Sequence, residues 1–203
     1  MVSFRRRSEP ATPSTTPVGW LVVGLGNPGK QYERTRHNVG AEAVELLAER
    51  AHLSLGLSKQ QARVARTPSM LLAVPTTYMN ESGIAVRKLA DYYSFDDPAR
   101  IVIVHDELDL EPGVVKLKEG GGLAGHNGLR SITQHLHTQD YLRVRVGVGK
   151  PPSKEHGAGH VLSRVPKRDR ELLDFAVQVA ADAVEAIVGE GIEVAMQRFH
   201  TRP

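Results

Sequence analysis

Short apolar runs recur along this chain, each separated from the next by a stretch of helical periodicity. That alternation restricts the fold more than any other feature. WLVVGL (20–25), LLAVP (71–75) and IVIV (101–104) are short and apolar throughout, the pattern of strands covered on both faces. VVKLK and RVRVGV alternate strictly instead. Alternation puts Lys116 with Lys118, and Arg143 with Arg145, on single faces of half-exposed strands. The segments between read as helices. VGAEAVELLAER sets Val39, Ala43, Leu46 and Leu47 on one stripe behind Asn38 as N-cap. NESGIAVRKLADYY aligns Ala85, Leu89 and Tyr92, and GLRSITQHLH aligns Leu129, Ile132 and Leu136. RELLDFAVQVAADAVEAIV predicts a long amphipathic helix stopped by Gly189, and GIEVAMQRF one more. Strands interleaved with helices predict a three-layer α/β domain, and the two alternating strands make its β-sheet mixed.

At 203 residues the chain suits one well-filled domain, placed at 18–203. Residues 1–17 are rich in Pro, Ser, Thr and Arg without periodicity, and are expected to be a disordered basic tail. The absence of cysteine removes disulfides and thiolate metal sites and points to a reducing, cytoplasmic setting. No apolar run is long enough to span a bilayer. Arg5, Arg6 and Arg7 have no apolar stretch behind them, so the N-terminus does not read as a secretory signal. A net charge of +3 permits a polyanionic partner without demanding one.

The run Gly24-x-Gly26-x-x-Gly29 after the first strand spells a dinucleotide-binding turn. Its context does not match. Pro28-Gly29 interrupts the chain, KQYERTRH has no apolar stripe, and the helix begins only near Val39. The acidic residues about 20 positions on, Glu42 and Glu45, fall on that helix rather than at a strand end. What these residues supply is a tight turn holding Asn27 at the carboxyl edge of the sheet, where open α/β sheets place their sites.

The chain has four asparagines, and three of them, Asn27, Asn80 and Asn127, fall in strand-to-helix connections or at helix starts. Asparagine caps and turns well. Three at equivalent places in a chain that otherwise avoids Asn point instead to convergent amides, able to accept from a substrate N–H and donate to an oxyanion. Among nine histidines, His52, His135, His137 and His200 sit on ordinary helical or terminal segments. His156-x-x-x-His160 has metal-like spacing, but Gly-Ala-Gly between them argues against a helix presenting both. His37 directly precedes a helix start and can project to the edge that holds Asn27. IVIVHDELD ends a buried strand in His105, Asp106, Glu107 and Asp109. Asp106, the first carboxylate after the strand end, is the candidate to fix the tautomer of a neighbouring imidazole. The chain has no Gly-x-Ser-x-Gly and no Cys, so a His–Asp pair activating water is the simplest chemistry.

In KEGGGLAGHNG (118–128), Gly120-x-x-x-x-Gly125 begins like a phosphate loop, but His126-Asn127 stand where Lys-Ser/Thr is required. Five glycines in the nine residues 120–128 suggest a mobile flap.

GLGNPGKQYERTRHNVG, PTTYMNESG, HDELDLEPG and GGGLAGHNGLR are similar to the signature segments of bacterial peptidyl-tRNA hydrolases, in family order, over about residues 18–200. The resemblance implies a twisted mixed sheet flanked by helices on both faces. It implies hydrolysis of the ester joining a peptide to the terminal ribose of tRNA, with no metal or organic cofactor; a monomer is expected. It makes His37 the catalytic histidine, Asp106 its carboxylate and Asn27 the asparagine beside the ester. Met79 and Asn80 then grip the peptide backbone, Asn127 helps hold substrate and water with His126 at the mouth, and Tyr32 shapes the cleft. Lys118 and Arg145 match the pair that clamps the 5′ phosphate of the acceptor stem. The chain departs from the pattern in its N-terminal tail, in a stretch from 54 to 70 that looks short enough to trim a strand or hairpin, and in the apolar Leu123-Ala124 of the flap. The competing readings are a non-catalytic RNA-binding relative and the dinucleotide oxidoreductase whose context fails.

Overall fold

The computed structural model describes residues 18–151, 153 and 156–200; the expected tail at 1–17 lies outside them. Seven strands form one sheet in the order β2-β3-β4-β1-β5-β7-β6. They are β1 (Trp20–Gly24), β2 (Gly56–Leu57), β3 (Ala62–Arg66), β4 (Met70–Pro75), β5 (Ile101–Glu107), β6 (Val115–Glu119) and β7 (Leu142–Gly147). The four central strands β4, β1, β5 and β7 run parallel, while β2, β3 and β6 join antiparallel at the edges. The sheet is therefore mixed, as the two classes of strand pattern predict.

Six helices cover it: α1 (Val39–Arg50), α2 (Ser82–Tyr93), α3 (Asn127–Leu136), α4 (Gly157–Leu162), α5 (Lys167–Glu190) and α6 (Ile192–His200). Val44, Leu47, Ala180, Val184 and Phe199 of α1, α5 and α6 bury against Val22, Val102 and Val144 on one face. Val86, Leu89, Leu129 and Ile132 of α2 and α3 bury against Leu21, Val23 and Ile103 on the other. Successive residues of β1 and of the IVIV part of β5 thus enter opposite cores, which is why those runs are apolar throughout. Each such side chain contributes roughly 1.5–3 kcal/mol of transfer free energy.

The glycines of the first turn have a packing role. A Cβ on Gly24 would lie 2.2 Å from the carbonyl oxygen of Gly40, and one on Gly40 would lie 2.2 Å from that of Val104. The first turn of α1 therefore runs in backbone contact with both β1 and β5, and only glycine at both positions permits it. This contact sets the 36–38 turn, just before α1, over the end of β5.

Three details differ from the sequence-based expectation. The IVIV strand continues through His105, Asp106 and Glu107, because β7 pairs with it residue by residue as far as Glu107↔Gly147. Asp106 is thus a strand residue rather than the first residue of a turn. The long helix passes through Gly189 and stops at Gly191, whose φ of 87° ends it; a helical glycine costs only about 1 kcal/mol and does not itself end a helix. A helix, α4, does form directly after His156. In the 54–70 stretch, expected to be short, a hairpin forms whose strand β2 is two residues long.

Candidate active site

The 36–38 turn is fixed on three sides. Thr35 makes an isolated bridge to Arg164, and buried Arg36 donates to Asp169 at 2.8 Å. Asn38, expected to cap α1, makes no capping bond. Its side chain instead clasps the backbone of Asn27: Oδ1 accepts from the Asn27 N–H at 2.9 Å, and Nδ2 donates to the Asn27 carbonyl at 3.0 Å. An amide has one acceptor and one donor end, so it can satisfy both backbone groups of a residue at once. Asn38 thereby ties Asn27 to the residue next to His37.

His37 and His126 share one carboxylate oxygen. His37 Nδ1 lies 2.8 Å and His126 Nε2 2.9 Å from Oδ1 of Asp106, which is buried at the end of β5. An ionised carboxylate only accepts, so both nitrogens donate. The tautomer of His126 is set independently, because its Nδ1 accepts from the backbone N–H groups of Gly128 and Leu129 at the start of α3. Among the described residues His37 has no such second bond, and its Nε2 is left as the unprotonated nitrogen. The two rings are tilted by 45° with centroids 5.1 Å apart.

The charges follow from this geometry. Burial opposes ionisation of Asp106, but His37 and His126 outweigh it and hold its carboxyl below the usual carboxylate range. Burial disfavours the imidazolium of His37, yet the charge and hydrogen bond of Asp106 prevail and raise its pKa above the ordinary 6.5. His105 behaves oppositely. Fully buried and beside His126, it is pushed down to about 3, and its Nδ1 donates to the Asp106 carbonyl at 2.7 Å. Two neighbouring strand residues are thus pushed in opposite directions, Asp106 toward its carboxylate and His105 toward its neutral imidazole.

A cavity of about 230 Å³ opens here, lined by His37, Asp106, Glu107, His126, Asn127 and Val161 among others. A larger cleft of about 900 Å³ is lined by the Asn27 turn itself together with α1, α5 and the end of β4; Asn27 is in this lining and not in that of the smaller cavity. The charged residues of the larger cleft include Glu42 and Asp174, which pair with Arg170, and Glu45, which pairs with Arg63. It contains no imidazole, so the smaller cavity is the one equipped for proton transfer.

The remaining expected residues divide into two groups. Asn27 accepts from the Met79 N–H through Oδ1 at 2.8 Å, which leaves its Nδ2 as the available group. Met79 is buried, Asn80 beside it is exposed, and Tyr32 meets Tyr78 edge-on at 6.5 Å. Asn127 is exposed, its Oδ1 accepting from Arg130 at 3.2 Å. Lys118 and Arg145 stand on β6 and β7, outside the cavity. The register pairs Lys118 with Arg143 and Arg145 with Lys116, so all four share a face and Lys118 is diagonal to Arg145. Arg145 donates through Nε to Glu107 at 3.0 Å.

The four cations do not form one solvated strip. Arg143 is 2% exposed and donates to the carbonyls of Gly121 and Gly122. Other histidines serve the backbone. His160 donates to the Gly149 carbonyl at 3.1 Å, while His200 accepts from Leu117 N–H on edge strand β6 at 3.0 Å. His156 meets Ser153 at 2.7 Å, so the 156/160 pair does not converge. Among the described residues, the one group of possible metal-ligating atoms is His37, Asp106 and His126, within 4.8 Å of one another. In the hydrogen-bonded arrangement the two nitrogens facing Asp106 carry protons, and a metal would have to displace both.

A family model described as peptidyl-tRNA hydrolase matches residues 21–203. The chain is 48% identical over 197 residues to a peptidyl-tRNA hydrolase of Cutibacterium acnes, covering 90% of this chain and 98% of that protein. It is 49% identical over 186 residues to one from Rhodococcus opacus, at 89% and 97% coverage. A solved peptidyl-tRNA hydrolase of Acinetobacter baumannii superposes with a TM-score of 0.84 at 39% identity, over 93% of this chain and 97% of that one. No helix among the described residues is long and apolar enough to cross a membrane.

Proposed function

The chain belongs to the peptidyl-tRNA hydrolase family, whose members hydrolyse the ester between peptide and tRNA, and from that premise we propose which of its residues carry out the reaction. His37 Nε2 removes a proton from water as the water attacks the ester carbonyl carbon. Asp106 holds the ring through Nδ1 and stabilises the imidazolium that forms. Asn27 Nδ2 donates to the developing oxyanion, because its Oδ1 is occupied by the Met79 N–H. The tetrahedral intermediate then breaks its bond to the ribose oxygen, and that oxygen takes the proton from His37. Atoms and charge balance without a cofactor.

Met79 and Asn80 hold the peptide backbone, His126 and Asn127 flank the water, and Tyr32 shapes the cleft beside the ester. Lys118 and Arg145 hold the 5′ phosphate of the acceptor stem, Arg145 being held in turn by Glu107 through its Nε. The enzyme works as a cytoplasmic monomer.

The observation that carries the assignment is the pair of imidazoles on one oxygen of Asp106, of which only His37 keeps a nitrogen for chemistry. The test is incubation with N-blocked aminoacyl-tRNA, prepared with and without its 5′ phosphate. Release of the blocked amino acid from both is expected, with KM lower for the phosphorylated form by about tenfold or more. Equal KM values would remove the phosphate assignment, and no release would remove the catalytic one.

A further inference from the structure

Arg143 is an unusual residue. Its guanidinium is buried on β7, and among the described residues it forms no ion pair with a carboxylate. Two of its nitrogens donate to consecutive carbonyls, Gly122 at 2.7 Å and Gly121 at 2.6 Å, while Nε has no partner. Its charge lies 4.9 Å from the centre of the Tyr141 ring. That tyrosine is itself tied to α3 through Thr133 at 3.0 Å. Burying a cation is expensive unless its donors are used, and here they are spent on the loop from 120 to 126.

The loop has two dependants. At its near end Lys118, directly across the strands from Arg143, lies over Gly121: a Cβ there, at φ 87°, would be 2.6 Å from Lys118 Cε. At its far end come His126, bonded to Asp106, and Asn127 at the start of α3. Between them, Leu123 packs against the core while Ala124 and Gly125 are exposed.

We propose that Arg143 is a positioning residue that pins the 120–126 loop, so that one buried guanidinium sets both the Lys118 ammonium for phosphate and the His126–Asn127 end for the ester. The part concerning Lys118 rests on the phosphate assignment above; the pinning of the loop does not. Phosphate held by Lys118 tightens the same loop whose other end borders the catalytic cavity.

Hydrogen exchange and steady-state hydrolysis on the full chain test this together. In Arg143→Lys, which keeps a charge but loses the forked pair of bonds, amides of 120–126 should exchange about tenfold faster or more, with β1, β5 and α5 unchanged. The kcat/KM preference for 5′-phosphorylated over dephosphorylated N-blocked aminoacyl-tRNA should fall about tenfold. Adding Lys118→Ala should lower it little further, since the two act as a unit. An arginine with only a structural role would lower the melting temperature and leave loop exchange and preference untouched; that result overturns the proposal. Gly121→Ala keeps Arg143 and covers the case in which Arg143→Lys fails to fold. It should reduce the phosphate preference by displacing Lys118, and an unchanged preference would overturn the link. If the wild-type enzyme shows no phosphate preference, the Lys118 part falls with that assignment, and loop exchange alone decides the pinning.

Discussion

The two segments that bring asparagine to the site are held in opposite ways. At the Asn27 turn every constraint is short and close to the residue itself. Gly24 and Gly40 let α1 touch the sheet, Asn38 clasps both backbone groups of Asn27, and Met79 N–H occupies its Oδ1. One amide NH₂ remains, in a fixed direction. The 120–127 segment is held at separate points, by Arg143 at Gly121 and Gly122, by Leu123 against the core and by His126 at α3, and Asn127 itself is exposed. A donor aimed at charge that develops only in the transition state gains by being fixed in place, because no reorganisation is then left for the moment of reaction. A group that must admit and release a large substrate is better tethered than fixed.

In the proposed mechanism both segments act on the reaction at His37 and Asp106, so removing that centre should erase the difference between them. His37→Ala should lower kcat on N-blocked aminoacyl-tRNA by on the order of 10³–10⁴, with the circular dichroism spectrum and tRNA affinity retained. Activity near the wild-type level would move the general base elsewhere, His126 first.

Asp106→Asn should also lower kcat, because the ring remains but its imidazolium loses its counter-charge. The sign of the pH effect follows from the raised pKa of His37. The wild-type base becomes available only as pH rises past a value above 6.5. Without the carboxylate that value falls, so the acid limb of the kcat profile should move to lower pH. An unmoved limb would mean that Asp106 does not set the basicity of His37.

How much of the molecule is legible in the sequence depends on how local the cause is. The strands, the helices on both faces and the His37–Asp106 pair follow from periodicity and from residues at strand ends or helix starts. Asn38 is legible as an asparagine before a helix, but a cap and a clasp on Asn27 look identical in one dimension, since the partner is 11 residues away across a turn. The burial of Arg143 is hidden for a related reason. Strict alternation marks the face away from one core, but it does not reveal that a loop from about 20 residues earlier folds back over that face and buries it. The extension of β5 through Asp106 likewise depends on β7 being its neighbour, a pairing of distant segments.

Asn38→Ala gives the direct test of the contrast between the two segments. It removes two hydrogen bonds to Asn27 and should lower kcat about tenfold with little change in KM, because it loosens a donor used in the transition state. Asn127→Ala should act in the other direction, mainly on KM. Asn38→Asp should not rescue the first, since its carboxylate can accept from the Asn27 N–H but faces the Asn27 carbonyl with no donor. If Asn38→Ala raised KM as Asn127→Ala does, the two segments would not differ in the way their bonding indicates.

The smallest effect expected is none, on treatment with a chelator. His37, Asp106 and His126 are close enough to suggest a metal site, and the contrast between the two segments requires that they are not one. His126 cannot turn Nε2 into a ligand without giving up its donation to Asp106, while its Nδ1 is committed to the N-terminus of α3. His37 offers Nδ1 to the same carboxylate oxygen, so a metal bound there would compete with two hydrogen bonds to a buried charge. Dialysis against EDTA should therefore leave kcat, KM and the acid limb unchanged. Loss of activity restored by one divalent cation, with the acid limb shifted towards the pKa of a metal-bound water, would replace the His37 general base with a metal hydroxide.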